Sequence, residues 1–230
     1  IYNWEEMKQN GYQFWLERLS YCKEVFDIIR IDHFRAFDTY WKIPATCETA
    51  VIGEWVEAPG REFFNLLLLK DPDLNIVVED LGDLRAEVHE LRNEFDFKGM
   101  KVLQFTFDPR ESNNNFDDRK NLVLYTGTHD NSTIRGWFES QTQKEQACIK
   151  NMLNELGYVD NEISWSFIKM ACDSIADMVI IPYQDWINLD DEKGRINTPG
   201  TLGSPNWEFR IQDYEEFEKR LTQIKNLLSK

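Results

Sequence analysis

Short apolar segments that end in acidic residues recur along the chain and alternate with helical patterns. The first segment leads to Asp32, the second to Glu79 and a later one to Asp130. Runs of this length that are rich in β-branched residues are typical of strands buried on both faces of a parallel sheet. Strands that alternate with helices imply βαβ units. The sequence therefore predicts an α/β fold with a parallel sheet.

The predicted elements follow from periodicity and from turn signals. We predict five strands, at residues 25–32, 75–80, 100–105, 122–125 and 177–182. We predict helices that start after Asn3 with a break at Gly11, at residues 61–70 and 84–92, within 142–176 with a break near Gly157, and from Tyr214 onward. Residues 36–60 and the Asn-rich segment 108–120 are predicted to be loops, the first of them an active-site loop.

The position of the acids distinguishes two kinds of parallel α/β fold. A doubly wound nucleotide-binding sheet would carry a glycine-rich phosphate loop after a strand, and the sequence contains no such motif. Acids at the carboxyl ends of several strands are typical of a (β/α)8 TIM barrel. Five strands do not close an eight-stranded barrel. We therefore expect residues 1–230 to be the carboxyl-terminal part of one catalytic barrel domain, holding only the later βα units.

Charge and composition argue against several classes of partner. The net charge of −15 disfavours nucleic acids and anionic membranes, and no apolar run approaches the roughly 20 residues that span a bilayer. The four cysteines are dispersed without a CxxC pair, which predicts reduced thiols in a cytoplasmic protein. The three histidines lack the spacing of metal ligands, so we expect no metal centre. We also expect no cofactor, because no nucleotide-binding motif is present.

Three carboxylates around one pocket would suit the cleavage of glycosidic bonds. One carboxylate acts as the nucleophile and a second, protonated one acts as general acid and then as base. A carboxylate beside a guanidinium remains ionised at neutral pH, as a nucleophile must, and Arg30 stands two residues before Asp32. For each acid alone, the alternative is a structural ion pair, a helix cap or a hydrated strand end.

Six segments of the chain resemble the motifs of one enzyme family. Residues 30–35 and 40–45 resemble the nucleophile region of the amylomaltases, which are the 4-alpha-glucanotransferases or disproportionating enzymes of glycoside hydrolase family 77. Four further segments resemble other motifs of that family, and they occur in the same order. They are residues 78–82, 99–105, 125–131 and 197–201. The resemblance extends to about Ile211 and implies a (β/α)8 barrel enzyme of starch, glycogen and maltodextrin metabolism.

The resemblance also implies a role for each matching residue. Asp32 corresponds to the nucleophile, Glu79 to the general acid and base, and Asp130 to the carboxylate that holds the hydroxyls of the distorted sugar. Substrate-binding roles are implied for Arg30, His129, Phe105 and Asn197. Arg30 would also orient Asp32. Asp80 is expected to point away from the site. The implied partners are a donor and an acceptor α-1,4-glucan.

Two other functions remain open at this stage. A retaining α-glucan hydrolase of the α-amylase class would use the same three acids with water as acceptor. A non-catalytic glucan-binding barrel would keep the fold without the reaction. The resemblance also implies that early barrel strands and donor-site residues precede Ile1, so we expect residues 1–230 alone to be inactive. The sequence does not indicate an oligomeric state.

Overall fold

The computed structural model describes residues 1–109 and 118–229. The described residues form two compact units, one within residues 1–100 and the other within residues 101–229. The strands are β1 (Ile29–Ile31), β2 (Thr39–Lys42), β3 (Glu54–Glu57), β4 (Ile76–Val78), β5 (Gly99–Val102), β6 (Leu122–Tyr125) and β7 (Met178–Ile180). The helices are α1 (Trp4–Gln9), α2 (Gln13–Val25), α3 (Gly60–Lys70), α4 (Ala86–Glu94), α5 (Leu103–Thr106), α6 (Ile134–Glu139), α7 (Gln143–Glu155), α8 (Ile163–Cys172), α9 (Tyr183–Trp186), α10 (Asp191–Gly194) and α11 (Glu215–Leu228).

The α/β class and the parallel pairing are confirmed. Strands β1 and β4 pair in parallel, as do β6 and β7. In the three-stranded sheet the order is β5, β6, β7. The β4 strand has all three side chains buried, as expected for a strand covered on both faces. The predicted break between α1 and α2 is also present, since Gly11 adopts a φ of +68° that other residues rarely take.

Aromatic side chains fill the core of the first unit. Phe37 stacks on Phe63, with ring centroids 5.6 Å apart, and Phe64 packs edge-on against Phe97 at 5.0 Å. Phe34 is completely buried among them. Phe34 belongs to a single 3₁₀ turn, Phe34–Phe37, directly after Asp32 and His33. The core therefore fixes the chain immediately beyond the end of β1.

The second unit packs its helices around a separate core. That core includes Leu124 of β6, Ile134 of α6 and Phe167 of α8, all completely buried. Thr142 begins α7 with a capping box, in which its side chain accepts from the backbone N–H of Glu145 while the Glu145 carboxylate accepts from the backbone N–H of Thr142.

Two of the predicted strands were wrong in position. The first strand begins at Ile29, because α2 continues through Val25 and the side chains of Val25 and Phe26 are exposed. A short apolar run does not by itself distinguish a helix end from a strand. The third strand ends at Val102, and α5 follows it where the strand was expected to continue.

The predicted loop at 36–60 contains a β-hairpin. Strands β2 and β3 pair antiparallel, with Trp41 opposite Trp55, and the two ring centroids lie 5.3 Å apart. The long connection between these strands carries no short-turn signal. Most of the predicted loop at 108–120 lies outside the described residues.

Two general properties of the chain can be read from the structure. Within the described residues, no helix has both the length and the apolar character that a membrane crossing requires. The four cysteines, Cys22, Cys47, Cys148 and Cys172, carry free thiols.

A buried carboxyl group in the second unit makes stability depend on pH. Asp185 is 2% exposed, and it accepts hydrogen bonds from the Thr126 hydroxyl at 2.6 Å and from the Ile134 backbone N–H at 2.9 Å. Burial raises the pKa of Asp185 from 3.8 to about 6, although both hydrogen bonds oppose that shift. Since the folded state holds this proton more tightly, the contribution to stability falls as pH rises through 3.8 to about 6.

We expect Asp185→Asn to raise the free energy of unfolding at pH 8 by on the order of 2 kcal/mol, because it removes a buried charge and keeps an acceptor for Ile134. The gain should shrink as pH falls to about 4, where the parental carboxyl group is protonated. Urea unfolding at both pH values measures it, with Asp73→Asn at an exposed position as control. An equal gain at both pH values would contradict the assignment.

Candidate active site

The first two candidate acids follow the ends of neighbouring parallel strands. Ile31 and Val78, the last residues of β1 and β4, are register partners. Asp32 and Glu79 directly follow them in the chain. Adjacent strands lie about 4.7–4.9 Å apart. The register therefore brings these two acidic positions to the same end of the sheet, one strand spacing apart.

Glu79 is held by backbone groups on both sides. Its Oε2 atom accepts a hydrogen bond from the backbone N–H of His33 at 2.8 Å, and its Oε1 atom accepts one from the N–H of Leu81 at 3.1 Å. The Glu79 main chain also accepts from the Phe34 N–H at 3.0 Å and donates to the Ile31 carbonyl at 2.8 Å. These contacts fix the carboxylate beside the segment that carries Asp32.

The Asp32 carboxylate is open to solvent and paired with a cation. Its side chain is 74% exposed, and Oδ1 lies 2.7 Å from Nη2 of Arg30. The Nε atom of Arg30 lies 3.3 Å from the sulfur of Met100. The ion pair predicted from the two-residue spacing is therefore present. Neither contact covers Asp32, whose side chain remains accessible to a ligand.

Asp80 occupies a different environment from its neighbour. It is buried, Oδ2 pairs with Nη1 of Arg92, and Oδ1 accepts from the backbone N–H of Met100 at 2.7 Å. Successive residues of an extended chain point to opposite faces. Asp80 thus lies inside the fold, as expected.

The candidate residues of the second unit gather around Asp130. Its Oδ1 atom accepts a hydrogen bond from Nδ2 of Asn197 at 2.7 Å, and Oδ2 lies 3.4 Å from Nε2 of His129. Asp130 belongs to the loop after β6, in which the Asn131 carboxamide oxygen accepts from both the backbone and the hydroxyl of Thr128. Asn197 comes from a distant part of the chain, so the fold brings these three polar side chains together.

Two residues at this second cluster were missed by the sequence analysis. Trp207 packs against His129, with ring centroids 5.3 Å apart, and its side chain is 58% exposed. Arg195 donates to the carbonyl oxygens of Asn197 and Asp130, at 3.0 and 3.4 Å. Trp207 is one of eight tryptophans in the sequence, and it lies outside the six segments that resemble family motifs. Phe105 lies in α5 and is 51% exposed.

Metal ligation can be tested by the grouping of side chains. Within residues 1–109 and 118–229, no group of three or more His, Cys, Asp or Glu side chains is arranged to hold a metal ion. The candidate site residues supply carboxylates, a guanidinium, an imidazole and an amide. Such groups can transfer protons, attack an electrophilic carbon and bind hydroxyls.

Comparison with known proteins identifies the family. The sequence profile of glycoside hydrolase family 77, described as 4-alpha-glucanotransferase, matches residues 1–216. The chain belongs to glycoside hydrolase family 77.

Individual members of family 77 agree with this result. A 4-alpha-glucanotransferase of Synechocystis is 45% identical over 91% of this chain and 42% of its own length. A 4-alpha-glucanotransferase of Thermus thermophilus is 39% identical over 92% of this chain and 43% of its own length. An amylomaltase from Streptococcus agalactiae, solved in complex with acarbose, superimposes with a TM-score of 0.87 at 32% identity, over 99% of this chain and 45% of that one. The chain thus spans less than half the length of these family 77 proteins.

The two hydrogen bonds to the Glu79 carboxylate make a prediction about stability. We expect Glu79→Gln to lower the free energy of unfolding by about 1–2 kcal/mol, because the amide NH₂ would face a backbone N–H donor in place of an acceptor. Chemical denaturation measures the change.

Glu24→Gln is the matched control, since it removes the same charge from an exposed position in α2. A Glu79→Gln protein as stable as the Glu24→Gln protein would show that the two backbone contacts contribute nothing.

Proposed function

We propose that this protein is a retaining 4-alpha-glucanotransferase, which moves α-1,4-glucan segments between maltodextrins through a covalent glycosyl-enzyme on Asp32. The observation that carries the proposal is the register match of Ile31 with Val78, in a chain of family 77. This register places the backbones of Asp32 and Glu79 about one strand spacing apart. That spacing is compatible with retaining enzymes, whose two carboxyl groups lie about 5–5.5 Å apart. The acarbose complex of the relative supports an α-glucan as ligand.

In the first step, Glu79 donates a proton to the glycosidic oxygen while Asp32 attacks the anomeric carbon from the opposite face. The bond between that carbon and the glycosidic oxygen breaks, and the leaving glucan departs with a free hydroxyl. The ion pair of Asp32 with Arg30 at 2.7 Å supports a carboxylate that is held in a fixed direction. Arg30 acts here by orientation and charge.

In the second step, the deprotonated Glu79 takes a proton from the hydroxyl of an acceptor glucan. That oxygen attacks the anomeric carbon, displaces Asp32 and restores the α configuration. Asp130 binds hydroxyls of the distorted sugar, with His129 and Asn197 as further hydrogen-bonding groups, and Phe105 contributes an apolar surface. The 2.7 Å contact of Asn197 with Asp130 supports a shared role for these two side chains.

We further propose that the chain holds the later βα units, about strands 4 to 8, of one catalytic (β/α)8 barrel. The parallel pairs and the TM-score of 0.87 against an amylomaltase support that architecture. Because the chain spans 42% and 43% of the length of two relatives, we propose the activity for the protein expressed from its complete coding sequence.

The reaction is tested by the products formed from maltotriose by the protein expressed from its complete coding sequence. We expect glucose together with a ladder of longer maltodextrins, because a second glucan accepts the glycosyl group. Asp32→Ala should lower turnover by at least about 10³-fold, since the nucleophile is lost. Glucose and maltose alone would instead indicate hydrolysis with water as acceptor.

The control for the nucleophile is Asp27→Ala, which removes an exposed acid just before β1. This variant should keep parental turnover. If Asp32→Ala also kept it, Asp32 would not be the nucleophile, and a glucan-binding protein without this catalytic site would become the better explanation.

We expect residues 1–230 expressed by themselves not to disproportionate maltotriose, because they span less than half the length of the 4-alpha-glucanotransferases that they match. The measurement is chromatography of the products at equal protein concentration beside the protein from the complete coding sequence. A maltodextrin ladder made by the 230-residue chain would show that its own residues form a sufficient site.

A further inference from the structure

A buried ion pair lies next to Glu79, the candidate general acid and base. Asp80 follows Glu79 in the chain and pairs with Arg92 of α4; their side chains are 3% and 7% exposed. The Arg92 guanidinium also donates to the side-chain oxygen of Asn93 at 2.8 and 3.1 Å. Both charges are therefore compensated inside the first unit.

The stability of the fold alone does not account for such a pair. Removing two charges from water costs several kcal/mol for each ion, and well-packed apolar residues often serve stability as well or better. What a buried pair supplies is a fixed geometry, because neither partner can move without leaving the other uncompensated. The position beside Glu79 indicates which geometry is being fixed.

Asp80 reaches both candidate catalytic carboxylates through short paths. It is joined to Glu79 by one peptide bond. Its Oδ1 atom accepts from the backbone N–H of Met100 at 2.7 Å, and the Met100 sulfur lies 3.3 Å from Nε of Arg30. Arg30 in turn holds Asp32 at 2.7 Å. One buried carboxylate thus ties the end of β4 to the cation that orients the nucleophile.

Backbone hydrogen bonds fix the segments on both sides of the contact between Asp80 and Met100. Val78 donates to the carbonyl of Lys98 at 2.8 Å, and Val77 bridges to Lys98 in parallel. The contact between Asp80 and Met100 continues this pairing by two residues, with a side chain in place of a main-chain acceptor. A displacement of Met100 would therefore also displace Asp80, which is bonded to Glu79, and Arg30, whose side chain contacts the Met100 sulfur.

We propose that Asp80, held by Arg92, is a positioning residue that sets the placement of Glu79 and of the Arg30–Asp32 pair. This inference rests on the proposed function, since it assigns Asp80 a task in that same site. Asp80 touches no substrate and transfers no proton. Its effect is on the transition state, where small displacements of the two carboxylates matter most.

The test is Asp80→Asn in the protein expressed from its complete coding sequence, assayed with maltotriose below the unfolding temperature. The shape of the side chain is kept, but its amide would face the Arg92 guanidinium with a donor. We expect kcat to fall about 10- to 100-fold. KM should change less than about threefold, because residues that contact the substrate are untouched.

Asp160→Asn is the matched control. Asp160 also joins a cation, Lys169 at 2.7 Å, and a backbone N–H, that of Glu162 at 3.1 Å, but it touches none of the proposed site residues. Both variants should lower the unfolding temperature, and only Asp80→Asn should lower kcat. A folded Asp80→Asn protein with parental kcat would overturn the inference.

Arg92→Lys provides a second variant if Asp80→Asn does not fold. It keeps the charge and loses the guanidinium fork. We expect a fall in kcat of about 3- to 10-fold with KM unchanged, and parental kcat would again overturn the inference. Absence of glucan transfer in the parental protein would instead contradict the proposed function, so the two failures are distinguishable.

Discussion

The parallel pairing of β1 with β4 is the interaction on which the candidate site of the first unit depends. The register sets Ile31 opposite Val78, and hydrogen bonds then continue past the strand ends, from Glu79 to Ile31 and from Phe34 to Glu79. Because the bonded atoms are backbone atoms, the placement does not depend on flexible side chains. The completely buried Phe34 anchors the outgoing chain. A slip of one residue would send Asp32 or Glu79 to the opposite face.

Around that pairing, the exposed and buried acids differ in their surroundings. Asp32 is 74% exposed and has a single cationic neighbour, so a ligand can reach it. The Asp80 side chain is 3% exposed and pairs with Arg92 inside the first unit. In the second unit the same contrast separates Asp130, which faces Asn197 and His129, from Asp185, which lies in the core and carries the raised pKa. Sequence position alone does not distinguish these acids.

Much of the fold follows from local pattern. The β6 strand and the ends of α3 and α7 agree with periodicity and turn signals to within about two residues, as does the break at Gly11. The hairpin of β2 and β3 was not foreseen, because pairing Trp41 with Trp55 depends on contacts that no short-range signal encodes. The first strand begins later than predicted for a related reason, since Val25 is the last residue of α2 and Phe26 caps that helix.

The sequence by itself determined the α/β class, the acids that follow the strands and, through its motifs, the resemblance to a family that the comparisons confirm. Those features are local, since each depends on residue type and spacing along the chain. Only the tertiary structure decided that the Glu79 carboxylate rests on the N–H groups of His33 and Leu81, and that Trp207 stands against His129. These contacts join segments far apart in sequence, or depend on which way a side chain turns. Residue order alone does not specify such distances.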